Sequence, residues 1–133
     1  MIVTAKMKND LVCAIRAENG TEILTSSPRD LGPGGEMTPT ELLGAALAGC
    51  VLISLVAGAS KRDLFLGDLK VEAALSMADS PRRLGAVRLE IYVPEQLATE
   101  VRPELEMLAH NCPVSRSMNT SIEIKISFHW GKC

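Results

Sequence analysis

The stretch Thr38-Pro-Thr-Glu-Leu-Leu-Gly-Ala-Ala-Leu-Ala-Gly-Cys-Val-Leu-Ile-Ser-Leu-Val-Ala-Gly-Ala-Ser60 decides the fold. Thr38 is placed to cap a helix, Pro39 suits its first helical position, and Glu41 falls where a capping-box acid reaches back to the cap N–H. From Leu42 to Ser60 there are 19 residues without a charge, close to the ~20 that span a bilayer. Two readings compete, a membrane span and a helix buried in a soluble core. The Gly, Ala and Ser content, the lack of flanking aromatic anchors and the sheet-like remainder of the chain favour the buried helix. The helix is expected to end near Ser60-Lys61-Arg62, with the cations at the negative end of its dipole.

Upstream, residues 2–7 (IVTAKM), 11–17 (LVCAIRA) and 22–26 (EILTS) read as strands. The last two flank an Asn19-Gly20 turn signal, so a three-stranded antiparallel meander is expected. The Pro- and Gly-dense loop over 26–37 delivers the chain to the helix. Downstream, residues 66–77 (LGDLKVEAALSM) and 85–94 (GAVRLEIYVP) alternate with the two-residue period of a half-buried strand, and Asp79-Ser80-Pro81 joins them as a hairpin. A second helix is expected over Thr99–Asn111, with Pro103 in its first turn and Val101, Leu105, Leu108 and Ala109 on its apolar face. Cys112-Pro113 breaks it, a short helical turn follows through Ser117, and residues 120–130 (TSIEIKISFHW) close the chain as an alternating strand. This order predicts an α+β domain with antiparallel sheets around a long central apolar helix. A helix apolar on every side is not satisfied by one sheet alone, so the second helix and a partner subunit are the expected covers, and a homodimer follows.

Composition narrows function. The chain has 133 residues, 47% hydrophobic and 23% charged, which suits one soluble folded domain. Fourteen basic side chains face sixteen acidic ones, for a net charge of -2. With no basic stripe and only four aromatic residues, nucleic acid is not expected as a partner. Lys6, Lys8, Asp10 and Arg16 interrupt the N-terminal apolar positions, so no secretion signal is read there and a cytoplasmic location is expected, with no membrane partner.

Cysteines 13, 50, 112 and 133 lie too far apart for a zinc or thioredoxin-like spacing. On the residues alone Cys50, among Ala, Gly and Leu, reads as a small hydrophobe. Cys112, before Pro113 at the start of a short helix, gains thiolate stabilisation from free N–H groups there, or serves only as a cap. Cys13 reads as strand packing and Cys133 as a tail residue. His110 could complete a Cys/Cys/His set, but three scattered ligands make a poor site, so neither metal nor cofactor is expected.

The two segments TPTELLGAALAGCVLISL (38–55) and LAHNCPVSRSM (108–118) together resemble the paired signatures of the osmotically inducible protein C and organic hydroperoxide resistance superfamily. The resemblance extends to the order of elements along nearly the whole chain. It implies an intertwined homodimer with central helices and active sites at the subunit interface. It implies that Cys50 attacks a hydroperoxide, that Cys112 resolves the sulfenic acid as a disulfide, and that an external dithiol restores both. An activating cation is needed, and Arg29, in the loop before the helix, is the expected one, with Arg16 and Arg116 as alternatives. The family's peroxidases hold that arginine with a glutamate whose position here is Thr40. Glu41 is its carboxylate neighbour and is carried over with the capping box as a competing role. The functional expectation is a thiol peroxidase acting on organic hydroperoxides. The alternatives are a non-catalytic dimer of the same fold that binds a small apolar ligand, and a thiol redox sensor.

Overall fold

A computed structural model describes residues 1–32 and 34–133. Of the loop expected over 26–37, residue 33 lies outside the described residues. The chain forms two compact units, Met1–Leu43 and Gly44–Cys133.

In the first unit, β1 (Val3–Asn9), β2 (Val12–Ala17) and β3 (Glu22–Ser26) form the expected antiparallel meander in the order β1-β2-β3. Two turns set it. Asp10 and Leu11 take positive φ and the register shifts between Met7 and Asn9. At the second turn Gly20 has φ +89 and the Asn19 side chain accepts from Thr21 N–H at 3.0 Å, the conformation that favours glycine there. Thr25 Oγ1 donates to the Met37 carbonyl at 2.6 Å, and Ser26 N–H to the same oxygen at 3.3 Å, fastening the loop to the strand before the helix.

The helix α1 runs Pro39–Ser60. Its start is a complete capping box: Thr38 N–H donates to Glu41 Oε2 at 2.7 Å, and Glu41 N–H donates to Thr38 Oγ1 at 3.2 Å, so two orphan donors of the first turn are satisfied reciprocally. It ends at Ser60, where Leu64 N–H returns to the Ala59 carbonyl at 3.0 Å. Lys61 and Arg62 lie just beyond its last turn, and Arg62 pairs with Glu104.

In the second unit, β4 (Lys70–Ala78), β5 (Arg83–Val93) and β6 (Glu123–Trp130) form a sheet in the order β4-β5-β6, accompanied by α2 (Arg102–His110) and α3 (Pro113–Ser117). β4 and β5 are the expected antiparallel hairpin, but β5 and β6 pair in parallel, from Ala86 with Glu123 to Val93 with Trp130. The expectation of purely antiparallel sheets is corrected at this one pairing. The reason is the connection: a helical crossover through α2 and α3 carries the chain back to the starting end of β5, and a parallel neighbour is what such a crossover produces. α2 begins at Arg102 rather than Thr99, with Pro103 in its first turn where the missing N–H costs nothing.

The core is built on β5. Val87, Leu89, Ile91 and Val93 alternate inward and are almost wholly buried, and against them lies the α1 stripe Leu47, Val51, Leu55 and Ala59 with Leu105 and Ala109 of α2. Close approach is built in with glycine. A Cβ on Gly44 would sit 2.7 Å from Leu75 Cδ2, and one on Gly58 would run into Leu108 Cδ1. The second helix is therefore one cover of α1, as expected. The stripe occupies one side only, and Ile53 (72% exposed) and Val56 carry apolar surface outward on the other.

Candidate active site

Cys50 and Cys112 are brought together in the second unit. Cys50 lies in the middle of α1, half-buried and packed against the core. Cys112 is the N-cap of α3 and only 1% exposed. The Cys50 side chain lies close enough to Cys112 to act on the ionisation of the Cys112 thiol. Both are free thiols, as are the half-buried Cys13 and the exposed Cys133.

The chain positions Cys112 by a corner of hydrogen bonds. Its extended backbone (φ -64, ψ 151) ends α2 and starts α3, with Pro113 fixing the first helical position. Its Sγ accepts the Ser115 N–H at 3.4 Å. Ser115 Oγ donates to the His110 carbonyl at 3.1 Å, Asn111 Nδ2 to the Met107 carbonyl at 2.9 Å, and Arg116 Nη1 to Asn111 Oδ1 at 3.2 Å. The turn that carries the thiol is thus tied on both sides.

The electrostatic outcome differs from the sequence expectation for Cys112. Burial pushes its thiol up from the ordinary value; the Ser115 N–H opposes that, and the adjacent Cys50 thiol reinforces it. A five-residue helix offers little dipole, and desolvation of a sulfur with almost no exposed surface outweighs one N–H bond. Cys112 is held as the neutral thiol and Cys50, half-buried, is the more accessible of the two.

A pocket of about 340 Å³ opens beside this corner, lined by Ser54, Glu104, Met107, Leu108, Asn111, Cys112 and Pro113. Ser54 stands one helical turn after Cys50, so the pocket follows α1 and α2 down to Cys112. Sequence reasoning gave no site role to Ser54, Glu104, Met107 or Asn111. A signal for Ser115 was present, since the third residue after an N-cap is one whose N–H the cap side chain accepts.

The other candidates lie in the first unit. Arg29 is exposed in a turn closed by Leu31 N–H and Gly32 N–H onto the Pro28 carbonyl, at 3.0 and 3.2 Å, and has no ion-pair partner among the described residues. Arg16 is engaged with Glu22 at 3.1 Å across β2 and β3. Glu41 is occupied by the capping box, and its carboxyl is held below the usual value by the Thr38 backbone N–H and then by the Thr38 hydroxyl. Thr40 is half-buried in the first turn of α1. Arg116, in the second unit, ties to Asn111. His110 gives its carbonyl to Ser115, and no set of three metal-ligating side chains occurs among the described residues.

Comparison with known proteins agrees with this geometry at the level of fold and family. The profile of the OsmC-like protein family matches residues 32–127. A crystal structure from Psychrobacter arcticus, described as an osmotic stress induced and detoxification response protein, superposes with a TM-score of 0.91 at 27% identity, covering 96% of this chain and 94% of that one. An organic hydroperoxide resistance protein from Legionella pneumophila follows with a TM-score of 0.76 at 23% identity, covering 96% and 94%. The organic hydroperoxide resistance protein OhrB of Bacillus subtilis gives 0.71 at 23%, covering 96% of each chain. Comparison with curated proteins gives no match.

Proposed function

This chain belongs to the OsmC-like protein family, and from that premise we propose that it is a thiol peroxidase which reduces organic hydroperoxides with Cys50 and Cys112. The observation that carries the reading is the unequal pair itself: two neighbouring free thiols, one half-buried and one buried and held by Ser115. The accessible Cys50 thiolate attacks the terminal oxygen of a hydroperoxide, the O–O bond breaks, and the alcohol leaves after taking a proton, with Cys50 as the sulfenic acid. Cys112 then attacks the Cys50 sulfur and water leaves. The disulfide is returned to two thiols by an external dithiol, which ends oxidised.

Arg29 is the cation proposed to lower the Cys50 thiol and steady the departing oxygen. The enzyme is proposed to work as a cytoplasmic homodimer, with the outward apolar side of α1, at Ile53 and Val56, as the surface that a second copy covers.

A steady-state assay with cumene hydroperoxide and dithiothreitol tests the reading. Wild type should turn over, Cys50→Ser should not, and Cys112→Ser should consume about two equivalents and stop with Cys50 overoxidised to the sulfinic acid. Normal turnover by Cys50→Ser removes the proposal.

One observation favours a second reading. Thr40 stands where the resembling peroxidases carry a glutamate, and the adjacent Glu41 carboxylate is taken by Thr38. A non-catalytic dimer binding a small apolar ligand near the thiols, or a redox sensor, would then show oxidation of Cys50 without sustained turnover.

A further inference from the structure

We propose that the pocket lined by Cys112 is the entry for the reducing dithiol, and that reduction begins by attack on the Cys112 sulfur of the disulfide rather than on Cys50. This rests on the two-cysteine reading above and adds to it a direction. The two thiols face different surroundings. Cys50 has its exposed surface on α1, whereas Cys112 is reached through the pocket bounded by Ser54, Met107, Leu108 and Asn111.

Thiol–disulfide exchange is an in-line displacement, so the attacking sulfur approaches along the S–S axis from the side opposite the leaving sulfur. Cys112 lines the pocket and Cys50 does not, so a thiol that enters it meets the Cys112 sulfur and leaves Cys50 as the departing one. The pocket is of a size for a small organic thiol. Met107, 63% exposed and flexible, is the wall that can yield to admit it.

Leaving-group chemistry points the same way. The thiol with the lower pKa leaves faster, and Cys112 is the one that burial pushes up. Attack on Cys112 keeps that disfavoured leaving group bonded, and it releases Cys50 for the next peroxide. The steps balance: the first dithiol sulfur bonds to Cys112 as the Cys50–Cys112 bond breaks. The second dithiol sulfur then attacks the first, closing a cyclic disulfide and releasing Cys112, which takes up a proton.

The protein is oxidised with diamide, which forms the disulfide whether or not peroxides react. It is pulsed with 2-mercaptoethanol, which lacks a second thiol, quenched with excess N-ethylmaleimide and mapped by mass spectrometry. Mercaptoethanol on Cys112 with maleimide on Cys50 is the expected pattern, and the reverse overturns the proposal. Independently, Met107→Trp should slow dithiothreitol reduction of the disulfide at least fivefold more than it slows oxidation of Cys50 by cumene hydroperoxide. Equal slowing, a larger effect on the peroxide step, or no effect on either overturns it. Wild type that fails to react with peroxide defeats the peroxidase reading and leaves the mapping experiment standing.

Discussion

The backbone N–H of Ser115 points at the sulfur of Cys112 across 3.4 Å, and this bond opposes the burial that keeps the same sulfur protonated. Burial wins, which has a consequence for stability against pH. Below about pH 8.5 both folded and unfolded chains hold the proton and the contribution of the buried neutral thiol is whole. As pH rises past that value the unfolded chain ionises first, stability falls, and the loss is complete once pH exceeds the raised folded-state value. Urea unfolding midpoints between pH 7 and 10 should decline for wild type more steeply than for Cys112→Val. Parallel curves would show that Cys112 does not contribute.

The capping box makes a second, separable prediction. Thr38→Ala should cost about 1 kcal/mol, because a first-turn N–H loses its acceptor. The Glu41 carboxyl is held below its usual value by Thr38, so its contribution is present at neutral pH and is lost as pH falls through that lowered value. Glu41→Gln should therefore narrow the stability gap between pH 7 and pH 3 while leaving the rate of Cys50 oxidation by peroxide within about twofold. A hundredfold loss of that rate would move Glu41 from the cap into the chemistry.

Where α1 turns apolar surface outward, Ile53→Glu is the direct test of dimerisation. The outward side chain should tolerate the charge in the isolated chain, whereas a second copy would have to bury it unpaired. Light scattering should report about twice 14.3 kDa for wild type and 14.3 kDa for the variant, with far-UV circular dichroism unchanged. A wild-type mass of one chain would leave the apolar face without the proposed partner. By contrast Leu89→Ala, within a fully buried strand position, should cost about 2–5 kcal/mol in either state.

The elements that sequence made legible are those whose signal is local. The capping box at Thr38 and Glu41, the Asn19-Gly20 turn and the alternation of Val87, Leu89, Ile91 and Val93 each specify their own geometry, and each is found as expected. The parallel pairing of β5 with β6 was hidden because strand direction is set by the crossover, not by the residues of β6. The juxtaposition of Cys50 with Cys112 could be named only through resemblance, since residues 62 positions apart carry no local sign of contact. The rise in the Cys112 thiol was misjudged for the same reason: the helix N-terminus is visible in Cys112-Pro113, but the apolar atoms that bury the sulfur come from elsewhere in the chain.

Arg29 separates from Arg16 by what each already does. Arg16 is paired with Glu22 on the exposed meander, and breaking such a pair costs at most about 1 kcal/mol of stability. Arg29 is exposed with no ion-pair partner among the described residues, and it is the cation proposed for the chemistry. A cation that stabilises charge in the transition state is worth about 10²–10³ in rate, as for other preorganised donors. Stopped-flow oxidation of Cys50 by cumene hydroperoxide should therefore slow by about a hundredfold in Arg29→Ala and by less than about threefold in Arg16→Ala, with urea midpoints of both near wild type. Arg29→Lys should recover part of the rate, because charge is kept while the two-pronged geometry is lost. If Arg29→Ala reacts at the wild-type rate and Arg116→Ala does not, the activating cation is the one beside Asn111, on the Cys112 side of the pair.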